Sequence, residues 1–161
     1  AVEELNRAGQ TGSAGELQAE AALREALIGN LTLANREAEA ALNVANSQNQ
    51  AQYLQSESAI VIAMAGDPAK AMRLADDLER RFPESTKLNC HYLPMIRGAI
   101  AMKSGDPAKA IEALGVREGC ELGGGTDIRL YRVYLRGQAY LAAHQGFEAA
   151  AEFQKISTTP A

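Results

Sequence analysis

Gly66-Asp67-Pro68-Ala69-Lys70-Ala71 recurs unchanged as Gly105-Asp106-Pro107-Ala108-Lys109-Ala110, an interval of 39 residues. Sliding the chain along itself by that interval also pairs Tyr53 with Tyr92 and Tyr131, Gly98 with Gly137, and Ala71 with Ala110 and Ala149. Such self-similarity marks an array of repeats. Within the hexapeptide, Gly can take the left-handed conformation that ends a helix, Asp can cap the next helix, and Pro suits a first turn, where its missing N–H is no loss. Each copy therefore reads as a helix stop followed at once by a helix start.

Outward from these turns, residues 58–65 and 95–104 before them, and 69–81 and 108–114 after them, carry apolar residues at three- and four-residue spacing. The expected unit is an antiparallel helix pair. One pair cannot bury its apolar stripe alone, so the pairs must stack, and the expected fold is all-α: an α-solenoid of about four antiparallel pairs.

The repeat resembles the tetratricopeptide family on particular residues. The last copy has Val133, Arg136-Gly137, Tyr140, Ala149 and Phe153; the preceding one has Pro94, Arg97-Gly98, Ala101, Ala110 and Leu114. The copy before that carries Ala59, Ile62, Ala71, Ala75 and the closing Pro83, and a fourth runs through Ala26, Gly29, Ala38 and Leu42. The interval of 39 exceeds the family's usual one of about 34 residues, and Arg97 and Arg136 stand where the family usually has Leu. By the tetratricopeptide resemblance the α-solenoid is expected to be right-handed. Residues 74–83, 136–143 and 152–156 also look like the C-terminal repeat regions of bacterial eukaryotic-like Ser/Thr protein kinases and winged-helix regulators.

That resemblance implies a non-catalytic, protein-binding scaffold serving as the sensing or docking part of a larger bacterial signalling protein. It leaves localisation open, either cytoplasmic or on the outer face of the inner membrane. A first residue other than Met accords with a segment of a longer chain.

Along the chain, residues 1–9 read as the tail of an earlier helix and 10–15 as a polar break. The expected pairs follow at about 16–46, 51–82, 86–116 and 127–157, all within one domain spanning 1–161. Residues 46–50 read as a polar turn, 84–103 as one long helix capped by Ser85 or Thr86 and kinked at Pro94, and 118–126, with the triplet Gly123-Gly124-Gly125, as a loose loop. That triplet lacks the Lys-Ser/Thr of a phosphate cradle and has no strand before it.

Composition narrows the function classes. Apolar residues make up 47%, yet aromatics are only 5% and Trp is absent, which suits Ala-lined helix contacts rather than a β-sandwich. A net charge of −4 supplies no footprint for nucleic acid or an anionic membrane. Neither an apolar run long enough to span a bilayer nor a signal pattern is present. Cys90 and Cys120 form no C-x-x-C pair and have no His at ligand spacing, so no metal or cofactor is expected, and they read as plain helix-face cysteines. The redox compartment stays open at this point.

By the tetratricopeptide resemblance, Tyr53, Tyr92 and Tyr131 line a concave groove for a protein or peptide; the alternative is that the rings fill gaps between repeats. The further groove positions are Ser56, Ile60, Met64, Met95, Ala99, Met102, Lys103, Tyr134, Gln138 and Leu141. Arg129, Arg132 and Arg136 share one helix face. They read either as an anion clamp or as a solvated strip. His91 and His144 lack acid and nucleophile companions, and His144 occupies the slot of the turn glycines. Asp76, Asp77 and Glu79 read as an exposed face, so no catalytic residue is assigned. The rival reading is a structural segment that forms a homodimer or packs against an attached kinase or DNA-binding domain.

Overall fold

The computed structural model describes residues 2–9, 11–44, 48–115, 120 and 126–158, and every regular element among them is helical. They gather into two units, residues 1–82 and 83–161. The Gly123–Gly125 triplet and most of the loop expected around it lie outside the described residues, as do positions 45–47 and 159–161.

The first unit holds α1 (Val2–Arg7), α2 (Thr11–Leu27), α3 (Leu31–Asn43), α4 (Gln48–Ala65) and α5 (Pro68–Arg81). Helix α2 begins earlier than the sequence indicated, because Gly15 is a packing residue rather than a breaker. A Cβ there would stand 2.3 Å from Val44 Cγ2 and 3.2 Å from Leu54 Cδ1. Likewise α4 begins inside the expected polar turn. Its residues 54–63 are buried throughout, as expected of a helix with neighbours on several sides; it packs against α2, α3 and α5. Those neighbours offer mostly alanines, Ala19, Ala22 and Ala26 from α2, Ala34, Ala38 and Ala41 from α3, and Ala71 and Ala75 from α5. Small side chains let the helix axes approach closely, and Ser58 Oγ of α4 reaches the Ala38 carbonyl of α3 at 3.1 Å.

In the second unit a helix starts at residue 86, widens into a π-helical turn at Leu88–Tyr92, and continues as α6 (Leu93–Lys103). Then come α7 (Pro107–Ala113), α8 (Thr126–Ala142) and α9 (Gly146–Thr158). Helix α6 packs on α7 and α8, and α8 on α7 and α9.

The repeat expected from the sequence reappears in the bonding of the turns. Asp67, Asp106 and Gln145 each donate their backbone N–H five residues back, to Ile62, Ala101 and Tyr140, at 3.0, 3.0 and 2.9 Å, and Asn30 does the same to Glu25 at 2.9 Å. The residue before each donor has positive φ: Gly29 at 88°, Gly66 at 117°, Gly105 at 74° and His144 at 60°. Asp67 and Asp106 then cap α5 and α7, their carboxylates accepting from the N–H of Lys70 and Lys109 at 2.8 and 3.1 Å. Since His144 carries a Cβ in a conformation that favours glycine, His144→Gly is expected to raise stability by about 0.5–1 kcal/mol in urea denaturation. An unchanged or lower midpoint would show that the histidine ring contributes more than the strain costs.

A second interlock repeats at the same interval. A Cβ on Gly98 would lie 2.6 Å from Leu114 Cγ, and one on Gly137 would lie 2.5 Å from Phe153 Cε1. In the α6–α7 and α8–α9 pairs the first helix thus has a bare patch that receives a large side chain of the second.

The kink expected at Pro94 takes a different form. Pro94 has no N–H to offer the Cys90 carbonyl, and its ring crowds that oxygen. The turn before it opens: Leu93 N–H donates to Leu88 O, five residues back. Arg132 Nη1, reaching over from α8, donates to the Cys90 carbonyl at 2.9 Å. The start of this helix agrees with the sequence, with Ser85 Oγ accepting from Leu88 N–H at 3.3 Å.

Candidate functional site

Most of the expected groove positions divide by burial. In the first unit Ser56 and Ile60 are fully buried, and Ser56 Oγ turns back to donate to the Gln52 carbonyl at 2.6 Å. Tyr53 is half-buried, packed on the cluster of Ala19, Ala41 and Leu54, with its hydroxyl 3.5 Å from Glu20 Oε1. Met64 is half-buried as well.

In the second unit Tyr92, Met95 and Ala99 are core residues, and their assignment to an open groove is corrected. The burial belongs to the repeat: Ser56 and Ile60, 39 residues before Met95 and Ala99, are equally buried in a helix without a π turn, so their groove assignment is corrected too. Tyr92 lies beneath Lys87, whose Nζ stands 5.7 Å from the ring centroid.

Helix α8 keeps an accessible stripe. Ile128, Arg132, Leu135 and Ala139 form its buried face. Beside them Tyr131, Tyr134 and Gln138 are half-buried, and Leu141 at the end of the helix is 48% exposed. Steps of three and four residues place these four along one line of the helix. The Tyr134 ring is braced on one side by Phe153 of α9, with centroids 6.0 Å apart and planes tilted by 52°. Gln138 Nε2 donates to its hydroxyl at 3.2 Å. On the neighbouring α6, Met102 is half-buried and Lys103 exposed.

The three arginines do not form one solvated strip. Arg129 is exposed, whereas Arg132 is 6% exposed and engaged with the Cys90 carbonyl. Burial, followed by repulsion from Arg136 and Arg129, lowers its pKa, though an arginine stays charged at neutral pH. Arg136 pairs with Glu152 of α9 at 2.8 Å, and Lys155 Nζ closes on the other Glu152 oxygen at 2.6 Å. The arginine in the slot where leucine is usual therefore has an internal partner sixteen residues on.

The cysteines are also corrected: Cys90 and Cys120 are joined in a disulfide, Cα atoms 5.4 Å apart. His91 is buried in the π turn, and His144 is exposed in its turn. No group of three or more His, Cys, Asp or Glu able to hold a metal ion occurs among the described residues, and no described helix is long and apolar enough to cross a membrane.

Two acidic side chains in particular have depressed pKa values. Hydrogen bonds from Arg81 and then Gln55 hold Asp77 down at about 2, against 3.8 ordinarily. Burial raises the Glu152 carboxyl, but the hydrogen bonds from Lys155 and Arg136 outweigh it and leave the group below its ordinary value. For both, the folded state favours the ionised form. Their stabilisation is complete above the unfolded pKa and disappears as pH falls through the folded one. Denaturation midpoints are expected to drop as pH goes from about 4 toward 2, and Asp77→Asn to flatten part of that slope; an unaltered slope in the variant would mean that the Asp77 network is not formed.

No family profile, curated protein or solved structure matches this chain.

Proposed function

We propose that this chain is a non-catalytic interaction module, a right-handed tetratricopeptide-like solenoid that docks a protein or peptide along the accessible stripe of α8. The observation that carries the reading is the contrast on that helix. One face is closed into the core, while Tyr131, Tyr134, Gln138 and Leu141 form a continuous line of partial exposure. A braced tyrosine offers apolar area and a hydroxyl at little entropic cost, which suits recognition of an extended segment. The common closure of the helix pairs supports the repeat reading, and the sequence resemblance makes a bacterial signalling protein the natural parent.

The test is selection from a displayed peptide library against the whole chain, followed by affinity measurement on a Tyr131→Ala/Leu141→Ala variant with unchanged circular dichroism. Enrichment of a shared sequence and at least a tenfold loss of affinity in the variant are expected. Absence of enrichment, or equal affinity for both proteins, would falsify the docking reading.

A second reading is self-association or packing on an attached domain. It is favoured by Phe147, 86% exposed, near Leu141 in sequence across the α8–α9 turn. A concentration-dependent dimer in sedimentation that Phe147→Ser abolishes would select it.

A further inference from the structure

The Cys90–Cys120 bond closes a loop over a sequence separation of 30 that contains the whole α6–α7 pair. Cys90 is also the residue whose carbonyl is left over by Pro94 and taken up by Arg132 of α8. Two tethers of the second unit thus meet at one residue: its sulfur holds the connection between α7 and α8, and its backbone oxygen holds α8 itself. These tethers act on a unit whose core includes Leu88, Tyr92, Leu93, Met95, Ile96 and Leu114, and they fix where α8 and the α7–α8 connection meet it.

We propose that Cys90–Cys120 is a redox-controlled clasp, and that the seating of α8 on the π-helical turn is conditional on the oxidised pair. This is independent of whether the α8 stripe docks a peptide. Both cysteines are 8% exposed, so the bond is shielded from casual thiol exchange but not sealed. The reductant is a dithiol. Its thiolate attacks one sulfur, the Cys90–Cys120 bond breaks as a mixed disulfide forms, and the departing cysteine thiolate takes up a proton. The second thiolate of the reductant then closes its own disulfide and releases the other cysteine. Two electrons pass to the protein, which gains two thiols while the dithiol is oxidised.

Opening a loop of this size returns conformational entropy to the unfolded chain. The folding equilibrium of the second unit is expected to fall by several hundred-fold, and its thermal midpoint by roughly 10 °C or more. Arg132 then secures a Cys90 carbonyl whose residue is no longer pinned through its sulfur.

The experiment uses the full chain made under oxidising conditions, before and after treatment with dithiothreitol. Alkylation read by mass should add no label to the folded untreated chain and two after reduction. Reduction should lower the thermal midpoint as stated and speed amide exchange in residues 88–103 and in α8. A Cys90→Ser/Cys120→Ser variant should match the reduced chain and be insensitive to dithiothreitol. Should that variant not fold, reduction of the unaltered chain decides alone. Two alkylatable thiols in the untreated folded chain, or a midpoint and α8 exchange unmoved by complete reduction, would overturn the proposal.

Discussion

Leu114→Ala is expected to destabilise the chain by about 3 kcal/mol in urea denaturation, the loss typical of a fully buried leucine that leaves a cavity. Leu114 is 0% exposed and seats against the bare backbone of Gly98. Gly98→Ala puts a methyl group into that seat, 2.6 Å from Leu114 Cγ. The overpacking costs about 1–3 kcal/mol, against a gain of about 1 kcal/mol in helix propensity. The informative quantity is the double variant. If Gly98 and Leu114 form a matched pair, the added methyl occupies space vacated by the leucine, and the double variant loses clearly less than the sum of the two. Simple additivity would mean that the two positions are not in contact. The same cycle at Gly137 and Phe153, 39 residues further on, should give the same sign.

Glu152→Ala is expected to cost about 3 kcal/mol, because it strands Arg136 with its side chain only 14% exposed. The penalty belongs to the uncompensated guanidinium more than to the lost pair. Replacing both, as Arg136→Leu/Glu152→Ala, should therefore recover part of the loss. A loss in the double variant as large as the two single losses added together would contradict this assignment and point to packing of the arginine stem as the main contribution.

Much of the helical framework was legible because the turns are written in residues with narrow conformational meaning. Gly66-Asp67-Pro68 and Gly105-Asp106-Pro107 dictate a left-handed stop, a side-chain cap and a first turn, and the bonds found there are those expected. The slot of His144 followed from the repeat alone. What the sequence concealed were departures from regular helix geometry and contacts set by tertiary proximity. Pro94 announces a disturbance but does not say whether the helix bends or widens; it widens, into a π turn whose residues Leu88, Cys90, His91 and Tyr92 are buried. Gly15 looks like a breaker until Val44 and Leu54 are seen to need its missing side chain. Cys90 and Cys120 stand on either side of a helix pair, and only the fold of that pair brings them together.

The candidate site was legible in part for a related reason. Helical spacing places Tyr131, Tyr134, Gln138 and Leu141 on one line, but it cannot tell an open line from a closed one. Arg132 shows the limit: by spacing it belongs with Arg129 and Arg136, yet the carbonyl freed by Pro94 draws it into the core. The arginine face is therefore largely internal bonding, and exposure survives on the adjacent stripe.

The most direct measurement is amide hydrogen exchange of the intact chain, free and saturated with the tightest peptide from library selection. Slower exchange along α8 around Tyr131–Leu141, together with the end of α6 at Met102 and Lys103, is the expected result. Protection confined to other helices, or no change on saturation, would contradict a docking face on α8.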